Sequence, residues 1–217
     1  MTVQERLELA DWRRSIAEMY AELRRVAVEN PNAAWNGFRA TRDALFASHP
    51  QSPLDEERKA AFTALHYFDY DPRWRIRAKV QGTGEATSSP TPRSVTVELP
   101  EGTLRYRAVG TAVFTTPATD DRVYTLTLYW LDGYGGGLFL PFKDLTSGRE
   151  TYGGGRYLYD TIKGADIGAG SGPDELVLDF NFAYNPSCAY SPRWVCPLSP
   201  SENSLPFRIE AGESESR

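Results

Sequence analysis

The sequence predicts an α+β protein that is mainly β, built as an antiparallel β-sandwich or a partly closed β-barrel with N-terminal helices packed on one side. Three observations predict this fold class. Apolar residues recur at intervals of three and four through most of the first 70 residues, which indicates amphipathic helices. From residue 73 onward the period becomes two, and seven or eight short strand patterns follow. The 18 glycines, 15 prolines and 12% aromatic residues are typical of a turn-rich β protein.

Three helices are expected in residues 1–70, which we predict to form a helical segment packed on the core. The first covers residues 4–28 and is ended by an Asn-Pro-Asn sequence, and the second covers residues 35–47. The third starts near Ser52, where a serine N-cap, a first-turn proline and two early carboxylates form a helix start signal. It is expected to run towards residue 68.

The antiparallel β domain is expected to span residues 71–213. In its first strand, residues 73–80, apolar side chains alternate with three arginines and a lysine. The other predicted strands are residues 95–99, 104–114, 123–130, 137–142, 156–160, 176–184 and 207–211. Residues 82–92 and 164–173 are predicted to be flexible surface loops, and residues 214–217 a disordered tail.

Charge and hydropathy argue against two classes of partner. With 24 basic and 29 acidic residues the net charge is -5, which disfavours broad binding to nucleic acid or to an anionic membrane. The basic row of residues 73–79 is expected to be a solvated strand edge that discourages edge-to-edge pairing. Because the sequence shows neither a signal-peptide pattern nor an apolar run of membrane-spanning length, we expect a cytoplasmic protein. Oligomeric state and cofactors are left open by these features.

Polar side chains on the predicted strand of residues 176–184 suggest a binding site. Strand alternation places Asp179, Asn181 and Asn185 on the face opposite a row of apolar side chains. If the sheet curls around this face, the three groups line a polar pocket; otherwise they are solvated or bonded within the protein. The predicted ligand-binding residues are Arg156, Tyr157, Asp179, Asn181, Tyr184, Asn185 and Asn203.

Arg156 follows a glycine-rich turn, Tyr152-Gly-Gly-Gly155. Exposed backbone amides beside a planar guanidinium suit a carboxylate or phosphate, so an anion site is one interpretation. The turn matches neither the P-loop pattern nor the dinucleotide fingerprint. The alternative is a structural ion pair of Arg156 with Asp144, Asp160 or Asp179.

Cys188 and Cys196 are the only cysteines, and three interpretations compete. Paired or structural thiols, including a disulfide, rank first, although a cytoplasmic setting favours the reduced state. A zinc site lacks a second pair of ligands, because both histidines lie far upstream, and no metal is predicted. A nucleophilic Cys188 needs a neighbour that lowers its pKa, for which Arg193 or Arg156 is the candidate.

A set of short motifs covers the chain from about residue 52 to residue 213. Together they resemble the signature of a widespread prokaryotic family classed as a domain of unknown function. The resemblance implies a common fold and a shared site but transfers no catalytic residue. The motifs include Gly155-Arg-Tyr-Leu158, Leu178-Asp-Phe-Asn181, Ala183-Tyr-Asn-Pro186, Cys188-Ala-Tyr190, Cys196-Pro197, Glu202-Asn203, Leu205-Pro206 and Ala211-Gly-Glu213.

Three classes of function follow from these residues. The first is a small-ligand-binding protein in which Arg156 holds an anionic group and the loop between the cysteines covers the pocket. The second is a hydrolase or thiol-dependent enzyme that uses the same pocket, with Asp179 as general base or Cys188 as nucleophile. The third is a structural or interaction module in which the polar residues only fasten loops to the sheet.

Overall fold

Two long helices form a layer over the sheet in this computed structural model, which describes residues 1–82, 94–99, 102–119 and 122–215. Helix α1 (Val3–Val26) begins with a capping box, in which the side chains of Thr2 and Glu5 each accept a hydrogen bond from the other residue's backbone. Helix α2 (Pro31–Ser48) has Asn30 as its N-cap and packs along α1. The first two predicted helices are therefore present, with α2 starting earlier than expected.

The predicted third helix is much shorter than expected. Helix α3 (Glu56–Ala60) starts at the N-cap Asp55, whose side chain accepts a hydrogen bond from the Arg58 amide. Ser52 does not cap it, because the Ser52 hydroxyl donates to the Phe46 carbonyl oxygen, 2.8 Å away, at the end of α2. Beyond α3 the chain has no helix up to residue 68, so the prediction was wrong over this stretch.

In the described residues, seven antiparallel strands form one curled sheet. Its order is β6-β5-β4-β3-β1-β7, with β2 paired to β3. The strands are β1 (Arg75–Gly82), β2 (Ser94–Leu99), β3 (Gly102–Phe114), β4 (Tyr124–Leu131), β5 (Gly137–Phe142), β6 (Arg156–Asp160) and β7 (Glu175–Asp179).

The two edges of the sheet approach each other beyond β7. Tyr157 in β6 and Tyr184 exchange two backbone hydrogen bonds, with N–O distances of 2.9 and 3.1 Å. The sheet is therefore a half-barrel, and the predicted α+β, mainly β fold class is confirmed. Of the two predicted architectures, the partly closed barrel corresponds to the structure.

Two predicted strands differ from the structure. Strand β7 ends at Asp179, whose carboxylate accepts the Asn181 amide and caps a 3-10 turn, Phe180–Phe182. The alternation of faces therefore stops there, and all three residues of the turn are buried. Residues 207–211 form no strand, because the amide of Ile209 donates to the Asp144 carboxylate, 2.7 Å away, and its carbonyl accepts from Arg156.

The basic first strand and the glycine-rich loop also differ from expectation. Strand β1 lies between β3 and β7, so it is not a sheet edge. In residues 164–173, Ala165 and Ile167 are buried, and backbone bridges tie the segment to β6 and β7, so it is not a loose surface loop. The predicted loop at residues 82–92 lies outside the described residues except for Gly82, which ends β1.

The end of the chain is bonded to the rest of the protein. Ser214 and Glu215, expected to be disordered, donate their amides to the carbonyl oxygens of His66 and Glu150. Residues 216–217 lie outside the described part of the chain.

The main core lies between the helices and the sheet. Edge-to-face aromatic contacts pack this core, with ring centroids 5.2 Å apart for Phe38 of α2 and Phe182, and 5.0 Å apart for Phe142 of β5 and Phe180. A second, smaller cluster contains Tyr106, Tyr129, Leu131, Phe139 and Tyr157. Among the described helices, none has the length and apolar content needed to cross a membrane.

Replacement of Gly212 by alanine is expected to destabilise the protein by about 1–3 kcal/mol. Gly212 has a φ of 76°, and an added Cβ would lie 2.6 and 2.7 Å from the carbonyl oxygens of Phe180 and Ala183. The matched control is Gly37→Ala, at an open position inside α2, which should stabilise by about 0.5–1 kcal/mol. Chemical denaturation measures both, and a Gly212→Ala variant as stable as the wild type would contradict this account.

Candidate functional site

Arg156 is fully buried at the start of β6. Its Nη2 lies 3.2 Å from Asp144 Oδ1 and 3.0 Å from the Ile209 carbonyl oxygen. Its Nη1 donates to the carbonyl oxygens of Ala211 and Glu213. Burial lowers the pKa of Arg156, and the Asp144 carboxylate opposes that shift. The guanidinium thus forms a structural ion pair with Asp144 and holds residues 209–213, which we call the C-terminal segment. It leaves no open face for an anionic ligand.

Asp179 and Asn181 form a second enclosed network. The Asp179 carboxylate accepts hydrogen bonds from Arg75 Nη1 at 2.8 Å and from Asn181 Nδ2 at 2.9 Å. Asn181 also binds both backbone groups of Asp71, each at 2.9 Å. Burial raises the pKa of Asp179, and the hydrogen bond from Arg75 opposes this. Both side chains are fully buried, and both carboxylate oxygens of Asp179 already accept hydrogen bonds within the protein, so neither oxygen is free to act as a general base.

Asn203 and Tyr157 also bond within the protein. The Asn203 side chain pairs with both backbone groups of Thr127, at 2.8 and 3.0 Å, and donates to the Pro141 carbonyl oxygen at 2.7 Å. It thereby links β4 to β5. The Tyr157 hydroxyl donates to the Pro197 carbonyl oxygen. Arg156, Asp179, Asn181 and Asn203 therefore belong to separate networks, whereas Tyr157, Tyr184 and Asn185 line one small cavity.

A buried ion pair that the sequence analysis missed joins the helices to the C-terminal segment. Arg42 Nη2 in α2 lies 2.7 Å from Glu213 Oε2, and Arg42 Nε donates to the Tyr67 hydroxyl at 2.8 Å. The guanidinium also lies 5.1 Å from the ring centroid of Tyr184. Burial raises the pKa of Glu213, and Arg42 opposes that shift.

Asn185 connects this ion pair to a cleft. Its backbone amide donates to Glu213 Oε2 at 2.9 Å. In the described part of the chain, neither Asn185 Oδ1 nor Glu213 Oε1 has a hydrogen-bond donor, although both atoms are buried. The two residues line a cleft of about 520 Å³. Its walls include Leu54, Arg58, Phe62, Leu65, His66, Ala189, Tyr190, Ser214 and Glu215.

A much smaller cavity lies on the other side of Asn185. It has a volume of about 50 Å³, and its lining includes Tyr20, Arg42, Lys163 and Tyr184. The Tyr20 hydroxyl is buried without a partner among the described residues, and burial raises the pKa of Tyr20, so the hydroxyl stays protonated. A space of this size accommodates water rather than a larger molecule.

The two cysteines lie next to each other as free, half-buried thiols. The amide of Cys188 donates to Cys196 Sγ at 3.4 Å, and the Tyr152 hydroxyl lies 3.6 Å from Cys188 Sγ. Hydrogen bonds from Cys196 and Tyr152, with a contribution from the Lys163 ammonium, lower the pKa of Cys188 to about 6. The hydrogen bond with Cys188 and burial raise the pKa of Cys196.

The arginines suggested from the sequence do not activate Cys188. Arg156 is held by Asp144, and Arg193 donates to the Ser52 carbonyl oxygen at 2.5 Å. The side chains that lower the pKa of Cys188 are the second thiol, then the tyrosine of the glycine-rich turn, and then Lys163. Among the described residues, no three or more His, Cys, Asp or Glu side chains come together as a potential metal site.

The fold and these networks define a class of protein: an antiparallel half-barrel, covered by helices, whose C-terminal segment is fastened by two buried arginines. The chain belongs to DUF1684, a family of proteins of unknown function whose model matches residues 60–214. The predicted membership of such a family is thereby confirmed. The matched region contains the seven strands of the described residues, both cysteines and Glu213, whereas α1, α2 and Arg42 precede it.

A solved structure is similar over most of the chain. It is the solution NMR structure of an uncharacterized protein from Haloarcula marismortui, with 36% sequence identity and a TM-score of 0.60. The match covers 84% of this chain and 93% of that protein. None of the curated proteins matches this chain.

Replacement of Arg42 by methionine is expected to cost about 3–5 kcal/mol near neutral pH, because it leaves the Glu213 carboxylate buried without its cation. Burial then raises the pKa of Glu213 without opposition from Arg42. When the pKa of a carboxyl group is higher in the folded than in the unfolded protein, its protonated form stabilises the folded state. For a glutamate this contribution is complete below the unfolded pKa of about 4.3, and it is lost as the pH rises through the folded pKa. The deficit of the variant should therefore shrink in acid.

Urea denaturation of the wild type and the variant at acidic and neutral pH measures this difference. The matched control is Arg39→Met in the same helix, where the guanidinium stacks 4.4 Å from the Trp35 ring centroid. It should lose less than about 1 kcal/mol, with little dependence on pH. Equal losses at the two pH values for Arg42→Met would contradict an ion-pair function of Arg42.

Proposed function

We propose that the protein binds a small molecule bearing hydroxyl or ammonium donors in the cleft lined by Asn185 and Glu213. The observation that carries this proposal is the pair of buried acceptors, Asn185 Oδ1 and Glu213 Oε1, without donors in the described chain. A buried acceptor left without a hydrogen bond costs free energy, so the site favours an occupant that donates. Ligand sites commonly combine a few such polar atoms with apolar walls.

The walls of the cleft suit a ligand with an apolar portion. Leu54, Phe62, Leu65 and Tyr190 contribute aliphatic and aromatic surface. The volume of about 520 Å³ lies within the range of small-molecule sites, about 300–1,000 Å³. These dimensions support a metabolite-sized ligand.

The charges around the cleft nearly balance, so they give the anionic ligand expected from Arg156 no advantage over a neutral or cationic one. The acidic residues of the lining are Glu213 and Glu215, and Arg42 pairs with the first of them. Arg58, the arginine in the lining, donates to the Tyr190 carbonyl oxygen. Arg156 is enclosed and bonded elsewhere.

The second class of function, an enzyme that uses this pocket, has less support. Asp179 belongs to an enclosed network, so a hydrolase with Asp179 as base is not favoured. For Arg156, Asn181 and Asn203 the third class is better supported, since each fastens backbone segments together, and Asp179 holds the side chain of Asn181.

The proposed function also concerns the cellular compartment and the macromolecular partners of the protein. Free thiols at Cys188 and Cys196 suit a reducing compartment, which supports the proposal of a cytoplasmic protein. The basic row of β1 offers little to a nucleic acid, because Arg75 pairs with Asp179 and Lys79 pairs with Glu175. No nucleic-acid or membrane partner is proposed.

The test is protein-observed NMR titration with three probe sets: primary alkylamines, polyols and dicarboxylates. Amines or polyols should shift the signals of Asn185 and Ser214, and Asn185→Ala should weaken binding about tenfold, as expected for one lost hydrogen bond. The stability of Asn185→Ala should stay near that of the wild type, because the removed carbonyl oxygen has no donor in the described chain.

Asn181→Ala is the matched control. It removes hydrogen bonds to Asp71 and Asp179, so it should lose about 1–3 kcal/mol of stability while the folded variant keeps its affinity. Binding of dicarboxylates alone, or no shift at Asn185 with any probe, would overturn the proposal.

A further inference from the structure

The neighbourhood of Cys188 has the parts of a reactive dithiol. The Cys188 amide donates a hydrogen bond to Cys196 Sγ, so the two thiols lie close together. Little movement is needed for their sulfurs to form a disulfide. Tyr152 contributes a hydrogen-bond donor to Cys188, and Lys163 contributes a positive charge. Both sulfurs belong to half-buried residues, so small oxidants can reach the pair.

We propose that Cys188 and Cys196 form a peroxide-reactive dithiol, in which Cys188 attacks a hydroperoxide and Cys196 resolves the product into a disulfide. The assignment of Cys188 as the attacking group rests on its two donors, the Tyr152 hydroxyl and the Cys196 thiol, which stabilise a thiolate. Cys196 is held against the Cys188 backbone, in position to attack the sulfur next to it.

The chemistry balances over two steps. In the first, the Cys188 thiolate attacks one oxygen of the hydroperoxide, the O–O bond breaks, and the leaving alkoxide or hydroxide takes up a proton; Cys188 becomes a sulfenic acid. In the second, the Cys196 thiol loses its proton and its sulfur attacks the Cys188 sulfur; the S–O bond breaks and water leaves. The two thiols are oxidised by two electrons in total, and the hydroperoxide is reduced to an alcohol or to water.

Lys163 supports the first step, in which Cys188 has to react as a thiolate. Its ammonium lies 3.0 Å from Asp160 Oδ2, and its charge favours the thiolate of Cys188. Tyr152 comes from the glycine-rich turn before β6, for which the sequence suggested either an anion site or a structural ion pair of Arg156. The turn therefore acquires a second explanation, as the support of a tyrosine that faces Cys188.

Oxidation of the two cysteines would constrain one wall of the cleft. The nine residues from Cys188 to Cys196 include Tyr190, whose ring packs on Phe46 with centroids 4.9 Å apart. A disulfide would close this segment into a covalent loop. The proposal does not depend on the ligand proposed above, because its test follows the sulfur atoms alone.

The experiment treats reduced full-length protein with one equivalent of hydrogen peroxide, then alkylates with N-ethylmaleimide and maps the peptides by mass spectrometry. We expect an intramolecular Cys188–Cys196 disulfide that dithiothreitol reverses. Cys196→Ser should accumulate a sulfenic acid at Cys188, trapped with dimedone, and Cys188→Ser should consume peroxide at least tenfold more slowly. Two thiols that remain fully alkylated, or a disulfide that links two chains only, would overturn the proposal.

A second readout separates activation by Tyr152 from simple proximity. Iodoacetamide labelling of Cys188 should have its midpoint near pH 6, compared with about 8.5 for an ordinary cysteine. Tyr152→Phe should move this midpoint upward and slow the peroxide reaction several-fold, whereas Tyr134→Phe, at a fully exposed tyrosine, should change neither. A Cys188 midpoint near 8.5 in the wild type, or faster labelling of Cys196, would contradict the assignment.

Discussion

The rest of the structure depends on one buried cation, the guanidinium of Arg156. A charge taken out of water costs several kcal/mol unless acceptors surround it. Asp144 supplies one acceptor, and the carbonyl oxygens of Ile209, Ala211 and Glu213 supply the others. The C-terminal segment is thus held in the fold without forming a strand, because its carbonyl oxygens bind the Arg156 guanidinium and offset the cost of removing that charge from water.

Fixing that segment places Glu213 at the junction of the two layers. Its carbonyl oxygen binds Arg156 in the half-barrel, and its carboxylate binds Arg42 in α2. Its backbone amide donates to the Ala183 carbonyl oxygen at 2.9 Å, and one carboxylate oxygen accepts the amide of Asn185. The cleft lies at this junction, so the same contacts that hold the layers together orient its two buried acceptors.

The periodic part of the fold could be predicted from the sequence, and the part held by side chains could not. Strands β1 to β6 and the two long helices repeat a pattern over enough residues to be recognised. The end of β7 could not be found in this way, because Asp179 caps a turn that replaces the alternation. Residues 207–211 show a strand pattern, yet the Ile209 amide binds Asp144 and the carbonyl oxygens of Ile209 and Ala211 bind Arg156.

The candidate site left a signal in the sequence that was overlooked. Arg42 lies on the face of α2 that carries Trp35, Phe38 and Phe46, and a charged residue on an apolar face indicates a buried partner. Glu213 ends one of the family motifs, but a single sequence does not show which carboxylate pairs with which arginine. The Cys188 environment was also missed, since Tyr152 reaches it only through the fold.

The most direct test of the dependence on Arg156 is native-state hydrogen exchange, residue by residue, in the wild type and in Arg156→Lys. A lysine keeps the charge but cannot bind four acceptors in the planar arrangement of a guanidinium. The amides of Ile209, Glu213 and Asn185 should exchange much faster in the variant, while those of β3 and β4 remain protected. Uniform acceleration over the whole chain, or unchanged protection of residues 209–213, would contradict the central claim that this one cation fastens the C-terminal segment.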